Sequence, residues 1–407
     1  MGGLKYWVWL SEVKGLSSRS KLLLLEHFGT PEEIYYADAG EYRLVKDLLP
    51  RQAELLSDKS LAGADQILGD CQRLGLRILT MQDADYPLRL RNIYEPPCLL
   101  YVKGQLPAFD EEVAVAMVGT RKATPYGIES AEKLAFGLAR QGALVVSGAA
   151  YGIDASAHRG ALRAGAKTVA VLGNGIDVVY PAGNEWLYHD IAASGALLSE
   201  YPPGTAAEGW HFPVRNRIIS GLSLATVVVE APEWRSGALI TANTALEQGR
   251  DVFAVPGPID APMSRGCNRL IADSAAGLIM DSWDVLREYE AQYPHKLHCD
   301  RVELPQTLGY QARSEEQAKK TAAPAQEKLP ALDLSAGDNG LSDDQIDVLR
   351  ALRDGALQVD DVEEAMKDLA SRGFTFREET ISRNEDGKII NVYMQQELGG
   401  LAFHICL

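Results

Sequence analysis

Residues 212–217, FPVRNR, set one aromatic ring and two guanidinium groups within six positions. Arg215 and Arg217 offer planar donor forks that match phosphate oxygens, and Asn216 between them adds an amide. Phe212 supplies a face on which a base can stack. Two further forks stand elsewhere, Arg121 in GTRKAT (119–124) and Arg235 in APEWRSG (231–237). Around them Gly119, Gly148 and Gly173 let backbone N–H groups come close to a ligand, while Thr120, Thr124 and Ser236 carry hydroxyls. Taken singly, each glycine is a tight turn and each arginine an ion pair. Arginines that recur after several apolar runs point to anion binding along one edge, of the kind a polyphosphate or a nucleic-acid backbone requires.

Signals for catalysis are weak. GNGID (173–177) lacks the GxGxxG spacing of a dinucleotide site, and no GxxxxGK[ST] phosphate loop or GxSxG elbow occurs. Asp154 and His158 in GIDASAH are the best acid–base pair, but a helix-start carboxylate and a packed imidazole account for them as simply. Glu230 at a strand end suits a partner for a nearby arginine. The five cysteines are scattered, with no CxxC or Cys/His cluster, so neither a metal site nor a disulfide framework is indicated. No cofactor motif is read.

The elements that would position these groups are legible from about residue 110 to 285. VAVAMVG, ALVVSG, TVAVLG, GALLSEY, ATVVVEAP and DVFAVPG alternate with helical segments. Near-continuous Val/Ala runs indicate strands buried on both faces, and the alternation predicts an α/β fold with a parallel, doubly wound sheet. Ligands on such sheets bind beyond the carboxyl ends of the strands, where the arginines and glycines fall. Residues 1–74 read as a helical N-terminal domain, 75–290 as the core, 291–340 as a polar, Ala- and Pro-containing linker, and 341–407 as a small α/β domain. LGLRILTM reads as a strand, and YPLRLRNIYEPPCLLYVKG as an extended connector into the core.

A length of 407 residues accommodates two or three domains, and the formal net charge of −16 argues against indiscriminate sticking to DNA or anionic membranes. A local basic cleft remains compatible with it. Neither a signal peptide nor an apolar run long enough for a membrane span is read, and free thiols suit a cytoplasmic protein.

Seven ordered blocks, among them VGTRKATPYG, SGAAYGIDASAHRGAL, FPVRNRIISGLS and GCNRLIADSAAGLI, resemble the DNA-processing protein A (DprA, or Smf) family over about residues 75–285. The resemblance implies an extended Rossmann-like core, no catalysis, and binding of single-stranded DNA during natural transformation. It also implies self-association into a homodimer and loading of the RecA recombinase. It carries the family's DNA pocket onto Arg121, Phe212, Arg215, Asn216 and Arg217, with Gly148 and Gly173 along the same edge. Two features depart from the family. AAEGWHFP (206–213) has Glu208 and Gly209 where several relatives carry a lysine, so stacking on Trp210 is expected in its place. Residues 341–407 begin like a winged helix but hold 7 Lys+Arg against 14 Asp+Glu, a charge of 7 − 14 = −7, unusual for a DNA reader. The other readings are a Rossmann-like nucleotide hydrolase, whose PGGxGT signature is missing, and a nucleotide-sensing regulator.

Overall fold

The computed structural model describes residues 3–234 and 236–299, and the backbone of three strands near the C-terminus. The chain divides into two units, residues 1–306 and 307–407.

The first unit opens with six helices: α1 (Leu4–Glu12), α2 (Ser18–Phe28), α3 (Pro31–Tyr36), α4 (Ala39–Tyr42), α5 (Pro50–Leu55) and α6 (Ala62–Leu74). Their ends follow from local chemistry. The Ser17 hydroxyl accepts from the Ser20 N–H at the start of α2, and Thr30 with Glu33 forms a reciprocal capping box at α3. Trp7, Trp9, Leu24 and Ile34 of this layer share one apolar cluster with Leu79, Leu100 and Leu198 of the sheet that follows. The helical layer therefore packs on the core, with no break in the apolar contacts at residue 74.

The sheet has nine strands: β1 (Arg77–Thr80), β2 (Leu99–Gly104), β3 (Ala114–Val118), β4 (Leu144–Ser147), β5 (Thr168–Leu172), β6 (Ala196–Ser199), β7 (Ala225–Val228), β8 (Asp251–Ala254) and β9 (Gly277–Leu278). Their order is β1-β2-β6-β5-β4-β3-β7-β8-β9. From β6 to β9 every neighbouring pair is parallel, whereas β1 and β2 join antiparallel at one edge. The α/β, Rossmann-like class holds. Strand β3 shows why its sequence carries no polar alternation. Ala114, Ala116 and Val118 face one apolar cluster and Val115 and Met117 the other, so both faces are dry.

The crossovers are α7 (Leu88–Arg91), α8 (Pro125–Arg140), α9 (Ile153–Arg163), α10 (Glu185–Ser194), α11 (His211–Gly221), α12 (Gly237–Glu247), α13 (Arg265–Ala272) and α14 (Trp283–Leu286). Ala131, Ala135, Ala157 and Ala161 of α8 and α9 pack on one face, and Ile191, Ile218 and Ala242 of α10 to α12 on the other.

Three local readings are corrected. The connector before the core holds α7 and the whole of β2, because Leu99–Val102 bury completely between β1 and β6. Strand β9 was not anticipated; two residues beside β8 are too few to show a periodicity. FPVRNR forms the first turns of α11, and Pro213 is tolerated there because first-turn N–H groups have no intrahelical acceptor.

In the second unit β10 (Ser382–Arg383), β11 (Ile389–Leu398) and β12 (Leu401–Cys406) form an antiparallel sheet, with β11 in the segment read as a strand. Most of the expected linker and the helices read at 341–366 lie outside the described residues.

Candidate nucleic-acid pocket

Strand β3 lies at the point where the strand order reverses. From it the chain passes through β4, β5 and β6 on one side, then returns to β7 on the other. A pocket of about 390 Å³ opens there, walled by the β3 exit, the β7 exit and helices α11 and α12. This is the crevice in which open α/β sheets hold ligands.

Gly119, Thr120 and Arg121 line the pocket directly after β3. The Thr120 N–H donates to the Glu230 carbonyl at 2.8 Å, tying the two strand exits together, and its hydroxyl accepts from the Lys122 N–H at 3.2 Å. Arg121 is exposed, and its guanidinium stands 4.6 Å from the centre of the Phe212 ring. It makes no ion pair among the described residues. Phe212 and Asn216 come from α11, one turn apart, and Ser236 from the start of α12; all three line the same pocket.

The pocket floor is built differently. Arg215 is buried and donates to the Gly148 carbonyl at 3.1 Å, to the Val171 carbonyl and to the Asn216 amide oxygen. Its fork thus clamps the exits of β4 and β5. Asp154 accepts from the Gly148 N–H at 3.2 Å, and burial pushes its carboxyl up despite the pull of Arg215. Gly148 is required by close approach: a Cβ there would lie 2.5 Å from Arg215 Nη2 and 2.7 Å from Asp154 Oδ2. Gly173 likewise makes room for Phe212, whose ring would stand 2.9 Å from an added Cβ.

Two expected contacts point elsewhere. Arg217 leaves the pocket side of α11, donating to the Glu95 carbonyl at 2.8 Å and Ser18 Oγ at 3.1 Å, and pairing with Glu200 at 2.8 Å. Its neighbour's carboxylate holds the guanidinium pKa up, and Arg217 in turn holds the Glu200 carboxyl below its ordinary value, both against burial. Thr124 serves the fold: its hydroxyl donates to Glu230 Oε1 at 2.5 Å and accepts from the Gly127 N–H that starts α8. Glu230 therefore takes a threonine and backbone N–H groups, where an arginine was expected. Arg235 lies outside the described residues.

The Asp154–His158 acid–base pairing is overturned. Thr168 donates its hydroxyl to the Val145 carbonyl, so it accepts from His158 Nδ1 at 2.8 Å, and the fully buried imidazole is pushed down to about 3 by desolvation and by Arg215. A base so weak, sealed in the core, cannot shuttle protons with the pocket.

Some contributors escaped the sequence reading. Tyr180 stacks on Phe212 with ring centres 5.4 Å apart and planes at 29°. Its sole signal was a position inside the GNGIDVVYPAGN turn. Thr241 reaches the pocket from the second turn of α12. Trp210, 62% exposed at the rim, donates its indole N–H to Glu208 at 2.5 Å, so the acidic residue that replaces a lysine holds the ring instead.

The comparisons agree with this architecture. Residues 77–290 match the family model of DNA recombination-mediator protein A. Protein Smf of Synechocystis sp. is 39% identical over 281 residues, 68% of this chain and 70% of that protein. The DNA processing protein DprA of Bacillus subtilis is 39% identical over 230 residues, 56% of this chain and 77% of that protein. The solved structure of DNA processing protein A from Streptococcus pneumoniae superposes with a TM-score of 0.62 at 36% identity, covering 70% of this chain and 97% of that one. With more than half its length in the family model and a pocket at the same strand exits that carry the quoted motifs, this chain belongs to the DNA recombination-mediator protein A (DprA/Smf) family.

Proposed function

We propose that this protein binds single-stranded DNA in the crevice between β3 and β7 and acts as a recombination mediator. The observation that carries the reading is Arg121: an exposed guanidinium, without a carboxylate partner among the described residues, poised over Phe212 at the mouth of a pocket about 390 Å³ in volume. A free cation beside aromatic rings suits a phosphate and its base together. Arg121, Asn216, Ser236 and Thr241 are the polar contacts of this reading. A base entering the mouth extends the Tyr180–Phe212 stack, and Trp210 offers a second face at the rim. Arg215 acts indirectly, by holding the floor, and Arg217 by holding α11. Phosphate contacts and π-faces carry little base identity, so sequence preference is weak.

One pocket spans few nucleotides. A homodimer presents two, and linkage between them raises effective concentration. The strand so held, with an acidic surface elsewhere that discourages duplex, is a substrate for handover to RecA. The reading places the protein in the cytoplasm; among the described residues no helix is long and apolar enough to cross a membrane.

The test is fluorescence anisotropy with a labelled single-stranded oligonucleotide and a duplex competitor at two salt concentrations. Single strands are expected to bind in preference to duplex, and Arg121→Ala to weaken binding and lower the salt slope by about 0.7. Equal binding of duplex, or an Arg121→Ala variant with unchanged affinity and slope, overturns the reading. Release of free base from a nucleotide would replace it with the hydrolase.

A further inference from the structure

We propose that the single strand does not end at the pocket but continues across α11 to a second stacking station, Arg19 with Tyr94, on the N-terminal helical layer. This rests on the pocket reading above and extends it to a site in a different part of the chain.

Tyr94 precedes β2 and is 75% exposed, far more than a ring of its size needs for packing. Arg19, in the first turn of α2, holds its guanidinium 5.5 Å from the centre of that ring. Arg19 makes no ion pair among the described residues. An exposed ring with a free guanidinium over it is the same combination that Phe212 and Arg121 form at the pocket mouth.

The two combinations are joined by Arg217. Its guanidinium touches the Val214 carbonyl at 3.0 Å, the Glu95 carbonyl at 2.8 Å and Ser18 Oγ at 3.1 Å. Three distant segments thus meet around one side chain. Pro213, which lines the pocket, adjoins Val214; Tyr94 adjoins Glu95; Arg19 adjoins Ser18. Val214 is itself exposed on α11, so the path from the pocket wall to Tyr94 crosses open surface. The local charge is favourable. Arg19, Lys21 and Arg217 stand against Glu95 and Glu200, and Glu200 is already paired with Arg217.

The ligand class follows from the geometry. An unpaired base can lie on the Tyr94 face while its phosphate meets Arg19. Duplex DNA, with its bases stacked internally, gains the phosphate contact alone. The station therefore lengthens the binding footprint for single strands and adds discrimination against duplex.

The experiment measures the affinity of the full chain for labelled oligothymidylates of about 6 and about 20 nucleotides, lengths that bracket a single stacking groove. Tyr94→Ala and Arg19→Ala are expected to lower the ratio of long to short affinity about 5- to 10-fold, as loss of one stacked base implies. Arg19→Ala should also reduce the salt slope of the long oligonucleotide by about 0.7. Tyr94→Phe keeps the ring and should retain the wild-type ratio, which separates loss of stacking from loss of folding. An unchanged ratio in both alanine variants, or equal weakening of both lengths, overturns the station. In either case an Arg121→Ala variant that still weakens both lengths leaves the pocket reading standing, whereas an inert Arg121→Ala removes the pocket reading itself.

Discussion

The rim and the floor of the pocket use the same side chain for opposite purposes. At the rim Arg121 is exposed and lies over an aromatic ring, with no carboxylate partner among the described residues. At the floor Arg215 is buried, and its donors are consumed by the Gly148 and Val171 carbonyls and by Asn216. Two residues further along α11, Arg217 faces away and binds the helical layer. A guanidinium with all its donors engaged holds backbone in place; one with donors to spare can take a ligand. The density of arginines near a sheet edge therefore overstates the number of ligand contacts. What distinguishes them is which donors the fold has already used.

That contrast breaks most visibly at Arg217. Glu200→Ala leaves its guanidinium buried without its carboxylate, and stability is expected to fall by about 3–5 kcal/mol, read as a shift of the urea midpoint. Near-native stability would make Arg217 a free cation like Arg121 and erase the distinction.

Beneath the floor, His158 tests whether that region is sealed. Its folded pKa, about 3, lies below the unfolded value near 6.5, so the unfolded chain binds a proton that the native one refuses. Stability from this group is complete above pH 6.5 and drains as pH falls toward 3, with a slope of roughly 1.4 kcal/mol per pH unit. Denaturation at pH 7 and pH 5 should show this loss, and His158→Gln should flatten it; an equal slope in the variant would mean the imidazole reaches water.

Gly148→Ala probes the floor from inside. An added Cβ 2.5 Å from Arg215 Nη2 must displace the fork, so a destabilisation of about 1–3 kcal/mol is expected, with weakened strand binding. The smallest effect belongs to the rim. Arg121→Ala should keep the thermal midpoint, with stability within about 0.5 kcal/mol, since no folded-state partner is lost. A large drop there would move Arg121 into the structural class.

Much of this organisation was legible before the structure. Continuous apolar runs such as VAVAMV announced strands dry on both faces, and the exits of those strands announced the crevice. Gly119, Thr120, Arg121, Phe212, Asn216 and Ser236 do meet in one pocket. The reading of Arg217, Thr124 and the Asp154–His158 pair differed because their partners are remote in sequence. Ser18 is 199 residues from Arg217, and Glu230 is 106 from Thr124. The connector before the core hid β2, since a Pro-Pro pair dominates its local signal while the pairing that makes it a strand comes from β6.

The sequence by itself determined the class of the fold, the edge at which a ligand is met and the chemical types gathered there. Those depend on local periodicity and on composition near the chain turns, which each segment carries alone. Only the tertiary structure decided which guanidinium faces solvent, which carboxylate is occupied and which ring lies beside which. Donors and acceptors are satisfied by whatever the packing brings within about 3 Å, and that proximity is a property of the assembled layers.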